Sequence, residues 1–139
     1  MGLMLDSTVL IDAERGRLDL PARLSALGDE PVAISTISAS ELLHGVHRAR
    51  TEQRRAARQA FVEAVLGELP IAGFGVEEAR IHAAVWADLA REGRAVPSRD
   101  LLIAATALTI GFRLATTDLR HLARIPELDV EDWSTAAGI

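Results

Sequence analysis

The chain opens with a short apolar run that breaks on an acid. Residues 3–5 are Leu, Met and Leu, and Asp6 follows them directly. An apolar run without alternation is typical of a strand covered on both faces, as in the middle of a parallel sheet. Asp6 or Ser7 is then placed to cap a helix that begins near Thr8. Because ligands bind at the carboxyl ends of parallel strands, this acid lies where a site is expected.

The rest of the chain alternates predicted strands with predicted helices. Four further strands are expected at 32–34, 70–72, 113–117 and 128–130. Helices are expected at 8–14, 21–27, 38–49, 51–66 (ended by Gly67), 76–92 and 101–108, with a helical turn at 119–122. Parallel strands need a crossover that a helix usually provides, so this alternation predicts an α/β fold.

Length and composition favour a single folded domain over residues 1–139. Of the 139 residues, 49% are hydrophobic, which is enough to bury a substantial core. The absence of cysteine excludes disulfides and thiolate zinc sites. We see no export signal and no apolar stretch long enough for a membrane helix, and therefore expect a cytoplasmic protein without a membrane partner.

The charge is unevenly distributed along the chain. The formal net charge is −5, which argues against a general nucleic-acid binder. Residues 42–60 nevertheless carry five arginines against one acid. All 15 basic residues are arginine, and the absence of lysine excludes Walker-type phosphate loops and Schiff-base chemistry.

Four acids occupy comparable positions in this pattern. Asp6 and Asp118 each follow a predicted strand, whereas Glu41 and Asp100 each lie near a predicted helix start. Capping explains each acid separately; residues 38–41 even match a capping box. Capping does not explain the coincidence, because strand carboxyl ends and the following helix amino ends share one edge of a parallel sheet. We therefore expect the four carboxylates to converge.

A cluster of carboxylates indicates a particular chemistry. Crowded carboxylates repel one another, and divalent cations neutralise them. Oxygen ligands without cysteine or paired histidine favour Mg²⁺, or alternatively Mn²⁺, over Zn²⁺. Phosphodiester hydrolysis uses this arrangement, with one or two metal ions that activate water and stabilise the leaving oxygen.

Four segments of the chain resemble a known family. Residues 5–11, 38–45, 96–105 and 115–118 look like the four signature blocks of the PIN-domain ribonucleases, and closely like those of the VapC-type toxins of bacterial toxin-antitoxin pairs. The resemblance implies a three-layer α/β/α sandwich with a central, mostly parallel sheet. It also implies an Mg²⁺-dependent endoribonuclease that acts on RNA, forms a homodimer and is inhibited by a cognate VapB-type antitoxin.

The resemblance also assigns site residues. It implies that Asp6, Glu41, Asp100 and Asp118 are the metal-binding catalytic acids, with Glu41 acting directly or through water. Ser7 and Thr117 are the implied supporting polar groups. Some relatives carry a further acid soon after the last aspartate, where residues 119–122 of this chain are Leu, Arg, His and Leu. A second metal ion would be less well held here.

The arginines are candidates for binding RNA phosphate, and they leave an alternative open. A solvated helix face with pairs such as Glu52 and Arg55 explains the basic segment equally well. The candidates for phosphate binding are Arg48, Arg50, Arg54, Arg55 and Arg99.

We also expect an inhibitory partner to place a guanidinium in the acidic cleft, because its planar fork can bridge two carboxylates.

Two other functional classes remain as alternatives. An Mg²⁺-dependent phosphatase or phospho-receiver has a similar sheet, but the phosphatase pattern requires a second aspartate where this chain has Thr8, and the receiver requires a lysine. A non-catalytic binding module would keep the acids only as helix caps. A metal titration separates this last class from the nuclease, because isolated caps do not create a divalent site.

Overall fold

A five-stranded parallel sheet forms the centre of the molecule. The computed structural model describes residues 1–134. All four strand pairings are parallel, and the strand order β3-β2-β1-β4-β5 places the first strand in the middle. The strands are β1 (Leu3–Leu5), β2 (Val32–Ser35), β3 (Ile71–Ala72), β4 (Arg113–Thr116) and β5 (Val130–Asp132). The predicted α/β fold is confirmed, and the sheet is parallel throughout.

Six helices connect the strands, close to the predicted positions. They are α1 (Ser7–Glu14), α2 (Leu20–Ala26), α3 (Thr36–His47), α4 (Glu52–Glu68), α5 (Val76–Arg91) and α6 (Ser98–Ile110). The predicted helical turn after β4 is a single 3-10 turn, Leu122–Arg124, three residues later than expected. No helix among residues 1–134 combines the length and apolar character that crossing a membrane requires.

Helix boundaries differ from the prediction by up to three residues; α6, for example, begins at Ser98 rather than at Leu101. Helix α3 begins at Thr36 rather than Ser38, because Ser35 is its N-cap and the Ser35 hydroxyl accepts a hydrogen bond from the Ser38 N–H at 3.0 Å. Helix α4 continues through Gly67 instead of ending there. Glycine lowers helix propensity but does not by itself end a helix whose apolar face is packed.

The alternating faces of β1 separate the two halves of the core. Leu3 and Leu5 pack with apolar residues of α1 to α4, whereas Met4 packs with those of α5 and α6. All three side chains are fully buried, as the central position of β1 requires. Helices therefore cover both faces of the sheet, which confirms the three-layer α/β/α sandwich.

Helix α6 carries one of the four acids to the edge of the sheet. Pro97 precedes its first residue, and Asp100 is its third. Seven residues of α6 are buried, so packing fixes the position of its amino end. The helix ends at Gly111, whose φ of 71° is a left-handed conformation that favours glycine.

Candidate active site

Three of the four predicted acids meet at the carboxyl edge of the sheet. Asp6 directly follows β1 and is the N-cap of α1, with only 1% of its surface exposed. Asp100 lies in the first turn of α6 and is 8% exposed. Glu41 is the sixth residue of α3, where it reaches the same place from the second turn. Each acid is fixed by a different element of the fold.

The position of Glu41 excludes the capping-box interpretation. A capping glutamate occupies the third helical position and accepts a hydrogen bond from the N-cap backbone. Ser38, not Glu41, is third in α3, and the Glu41 carboxylate binds Ser7 and Arg99 instead. Glu41 lies in the second turn of α3 rather than near its start. The prediction that its carboxylate lies near Asp6 and Asp100 is supported by this geometry.

Both oxygens of the Asp6 carboxylate accept hydrogen bonds. Its Oδ1 accepts from the Ser7 N–H at 2.9 Å. Its Oδ2 accepts from the Thr8 hydroxyl at 3.0 Å and from the Thr116 hydroxyl at 2.8 Å. A buried carboxylate with this many donors has a fixed orientation, since rotating it would break several bonds at once.

Thr8 and Thr116 were missed by the sequence reasoning. Both are threonines within two residues of an expected acid, and this proximity was the available signal. The Thr116 hydroxyl also accepts from the Asp118 N–H at 3.1 Å, so it links the two aspartates. Thr117, the predicted supporting residue, donates its backbone N–H to the Thr8 hydroxyl at 3.1 Å.

Arg99 lies between the three converging acids. Its Nε donates to Glu41 Oε2 at 2.6 Å, and its Nη1 donates to Asp100 Oδ1 at 2.8 Å. Its Nη2 donates to Asp6 Oδ1 and also to the Ser7 hydroxyl, the latter at 2.9 Å. Ser7 in turn donates to Glu41 Oε1 at 3.0 Å. A single guanidinium therefore joins carboxylates from three separate elements.

The charge of Arg99 is strongly favoured in this position. Burial disfavours the charged form of a group, and the Arg99 side chain is only 30% exposed. The carboxylates of Glu41, Asp6 and Asp100 outweigh this cost and raise the pKa of the guanidinium above its ordinary value. Arg99 is therefore a permanent counter-charge within the acidic cluster.

Asp118 is paired separately. The Arg120 guanidinium binds both of its oxygens, with Nε to Oδ1 at 3.0 Å and Nη2 to Oδ2 at 2.9 Å. This bidentate hydrogen bonding holds the pKa of the Asp118 carboxyl below its usual range. The fourth acid is thus near the strand end, as predicted, but is bound to its own arginine.

The donor set matches a hard divalent cation, although an arginine stands among the donors. Carboxylate oxygens are the ligands that Mg²⁺ and Mn²⁺ prefer. Among residues 1–134, no three acidic or histidine side chains are arranged, as they stand, to hold a metal ion. Arg99 instead supplies the positive charge that Asp6, Glu41 and Asp100 share. The carboxylates suit a metal ion in chemistry, but in this structure they bind the Arg99 guanidinium.

A cavity of about 300 Å³ lies beside this cluster, between α1, α3 and α4. Glu41 lines it together with several arginines of the basic segment. Arg55 is not among the lining residues, because it binds Glu52 and the Ala49 carbonyl. The lining arginines from this segment are Arg48, Arg50, Arg54 and Arg58.

The fold and this acidic edge define a class of protein. The PIN domain family model matches residues 3–128, and the chain belongs to this family. Among curated relatives, Ribonuclease VapC from Rickettsia bellii is 35% identical over 94% of this chain and 95% of its own. Ribonuclease VapC1 from Rickettsia felis is 37% identical with the same coverage of both chains.

Solved structures agree with this assignment. The VapBC2 structure from Rickettsia felis, bound to a DNA fragment from its promoter, superposes with a TM-score of 0.85. It is 26% identical and covers 96% of this chain and 100% of the matched chain. PIN-domain nucleases are metal-dependent in general, which agrees with the carboxylate donors described above. The resemblance noted in the sequence is therefore confirmed.

Proposed function

We propose that this protein is an Mg²⁺-dependent endoribonuclease toxin that cleaves RNA phosphodiester bonds. The observation that carries the proposal is the convergence of Asp6, Glu41 and Asp100 on a single point occupied by positive charge. Membership of the PIN family and similarity to proteins named Ribonuclease VapC support it. Mn²⁺ is the alternative cation, because it prefers the same ligands.

Each acid has a role in this proposal. Asp6 and Asp100 are buried and would ligate the metal ion directly. Asp118 would complete the ligand set once it leaves Arg120, and Glu41 would bind directly or through water. When bound, the cation would lower the pKa of a water and polarise the phosphoryl oxygen. These four residues are the proposed catalytic and metal-binding set.

The neighbouring hydroxyls would orient the site. Thr8 and Thr116 hold one oxygen of Asp6, which leaves the other oxygen directed toward Arg99. The Ser7 hydroxyl holds Glu41 Oε1. Ligand orientation by such partners typically changes metal affinity or activity by about 10–100-fold. We propose Ser7, Thr8 and Thr116 as supporting residues, and Thr117 through its backbone.

The basic cavity is the proposed path of the RNA backbone. Arg48, Arg50 and Arg54 line the cavity beside Glu41, and none of them forms an ion pair within residues 1–134. Guanidinium groups without an acidic partner are free to bind phosphate. Arg55 is committed to Glu52 and the Ala49 carbonyl, and Arg99 binds carboxylates of the acidic cluster, so these two are weaker phosphate candidates than the other three.

The proposed biological setting is a toxin-antitoxin pair. The VapBC2 structure is named for a complex of two components, and its matched chain has the fold of this one. We propose that a VapB-type antitoxin inhibits this protein, that the toxin forms a homodimer, and that it acts in the cytoplasm. Size-exclusion chromatography with light scattering, with and without a co-expressed partner, measures both assemblies.

A cleavage assay tests the proposed activity. Purified protein is incubated with total cellular RNA in Mg²⁺, Mn²⁺ or EDTA, and the new ends are mapped. We expect cleavage only with metal, and we expect Asp100→Asn to reduce it by at least about 100-fold. Asp88→Asn, on an exposed part of α5, is the matched control and should cleave normally. Metal-independent cleavage, or full activity of Asp100→Asn, would contradict the proposal, whereas no cleavage and no metal binding would favour a non-catalytic binding module.

A further inference from the structure

The geometry points to an inference about Arg99: we propose that its guanidinium is a built-in competitor of the catalytic cation. In this state Arg99 occupies the metal position and keeps the nuclease inactive until the cation displaces it. The inference rests on the proposed metal-dependent activity and concerns the regulation of that same site. The competitor belongs to this chain and needs no partner.

The contacts of Arg99 go beyond those of an ordinary ion pair. Its three nitrogens donate to carboxylates of Asp6, Glu41 and Asp100, which come from three different elements. These are the same oxygens that the proposed metal site requires. A cation and a guanidinium cannot both occupy the space between them, because each needs direct contact with the same lone pairs.

Arg99 also supplies the positive charge that the buried carboxylates need when no metal ion is bound. Asp6 and Asp100 are almost fully buried, and buried carboxylates need a partner or a counter-ion. Arg99 is adjacent to Asp100 in the sequence, so it is always present at this edge of the sheet. The protein can therefore fold without metal, with the guanidinium as the internal counter-ion.

The Arg99 side chain is exposed enough to leave the site toward solvent. Its side chain is 30% exposed and the Glu41 side chain 35%, whereas that of Asp6 is 1% exposed. Movement of Arg99 toward solvent would open the site while Asp6 remains fixed by Thr8 and Thr116. Removing the competing state should increase apparent metal affinity by the reciprocal of the fraction of time that Arg99 leaves the site free. If Arg99 fills the site nine-tenths of the time, the increase is about tenfold.

The first test measures metal binding without RNA. Mn²⁺ binding to wild type and to Arg99→Gln is measured by isothermal titration calorimetry. We expect the variant to bind Mn²⁺ at least about tenfold more tightly. In EDTA it should melt at a lower temperature than wild type, and added Mg²⁺ should raise its melting temperature by more than that of wild type. Unchanged or weaker Mn²⁺ affinity would overturn the inference.

The matched control is Arg120→Gln. This variant also removes one arginine charge at the carboxyl edge of the sheet and releases Asp118, a proposed metal ligand, from its ion pair, but it leaves Arg99 among the other three acids. If Arg99 acted only through its charge, the two variants would increase Mn²⁺ affinity equally. We expect Arg99→Gln to have the clearly larger effect. An equal or larger effect of Arg120→Gln would overturn the inference.

The second test follows the guanidinium itself in the unaltered protein. The Arg99 Nε–H gives a proton-nitrogen NMR signal, assigned by its absence from Arg99→Gln spectra. If that variant does not fold in EDTA, selective ¹⁵N-arginine labelling of Arg99→Lys provides the assignment. We expect the signal to shift or broaden as Mg²⁺ saturates the site, because the bond to Glu41 is lost. A signal that is unchanged at saturation would overturn the inference.

These experiments separate the inference from the proposed function. If wild type cleaves RNA with Mg²⁺ and Arg99→Gln binds Mn²⁺ no more tightly, the nuclease assignment stands and the inference alone is wrong. If neither wild type nor Arg99→Gln binds Mn²⁺, both are wrong. Tighter Mn²⁺ binding by the variant, together with displacement of the Nε–H signal in wild type, supports the inference whatever the RNA substrate is.

Discussion

The Thr116 hydroxyl donates a hydrogen bond to Asp6 Oδ2 at 2.8 Å, although the two residues are 110 positions apart in the sequence. The bond joins the ends of the neighbouring strands β1 and β4, and both residues are almost fully buried. The Asp118 N–H donates to the same hydroxyl at 3.1 Å. This contact links the first and last of the four acids.

Thr116→Val is expected to destabilise the protein by about 1–3 kcal/mol, because it leaves a buried carboxylate oxygen and the Asp118 N–H with fewer partners. Urea denaturation in EDTA measures the change. Thr117→Val is the control, since Thr117 contributes its backbone N–H, which the substitution keeps. Equal stability of the two variants would contradict this role for the Thr116 hydroxyl.

Glu41→Gln is expected to increase the Mg²⁺ concentration required for half-maximal cleavage by about tenfold, because an amide is a weaker ligand for a hard cation than a carboxylate. Ser35→Ala is the control, because it should change the stability of α3 and not the Mg²⁺ requirement. Ser35 is the actual N-cap of α3, so its loss should cost about 0.5–2 kcal/mol of stability and leave the Mg²⁺ requirement unchanged. If Glu41→Gln cleaves normally at low Mg²⁺, Glu41 does not belong to the site.

Replacing Arg50 and Arg54 together with glutamine is expected to weaken RNA binding and to reduce its salt dependence. Each lost phosphate contact lowers the slope of log K against log salt by about 0.7 for single strands. Binding is measured in EDTA, so that cleavage does not interfere. Arg91→Gln, on α5 in the opposite helical layer, is the control. An unchanged slope in the double variant would indicate that these arginines face only solvent.

The stability of the protein is expected to depend on Glu30 at acidic pH. Hydrogen bonding by Arg113 holds the pKa of the Glu30 carboxyl below its ordinary value. A lowered pKa in the folded state stabilises the protein above the unfolded-state pKa, and this contribution disappears as pH falls through the folded-state value. Wild type should therefore exceed Glu30→Gln in melting temperature at pH 7, and the difference should shrink below about pH 4. A difference that is constant between pH 7 and pH 3 would contradict this account.

The sequence was sufficient to predict the succession of strands and helices along the chain and the edge of the sheet where the acids lie. Asp6 follows an apolar strand, Asp118 lies just after another strand, and Asp100 follows Pro97 at a helix start. These patterns depend on neighbouring residues, and the carboxyl ends of parallel strands always share one edge. The meeting of Asp6 and Asp100 at one edge could therefore be derived without knowing any long-range contact, whereas the separate pairing of Asp118 with Arg120 could not. The extent of the domain, residues 1–139, stays a prediction.

Choices between adjacent residues could not be derived from the sequence. Ser35 and Ser38 are both acceptable caps for α3, and only the end of β2 at Ser35 decides between them. Thr116 and Thr117 are equally suited to bind Asp6, but neighbouring side chains at a strand end point to opposite sides of the sheet. The two residues of each pair have nearly equal local preferences for the role, so only the tertiary structure decides which residue takes it.

The occupant of the acidic site was also decided by the tertiary structure. The sequence indicated that a cation must lie among the acids, and we expected a metal ion or a guanidinium from a partner. The structure places the chain's own Arg99 there. Its contacts with Asp6 and Glu41 span 93 and 58 residues and depend on how α6 packs against the sheet. The sequence by itself determined the charge of the site, whereas only the packing of distant elements determined which group balances it.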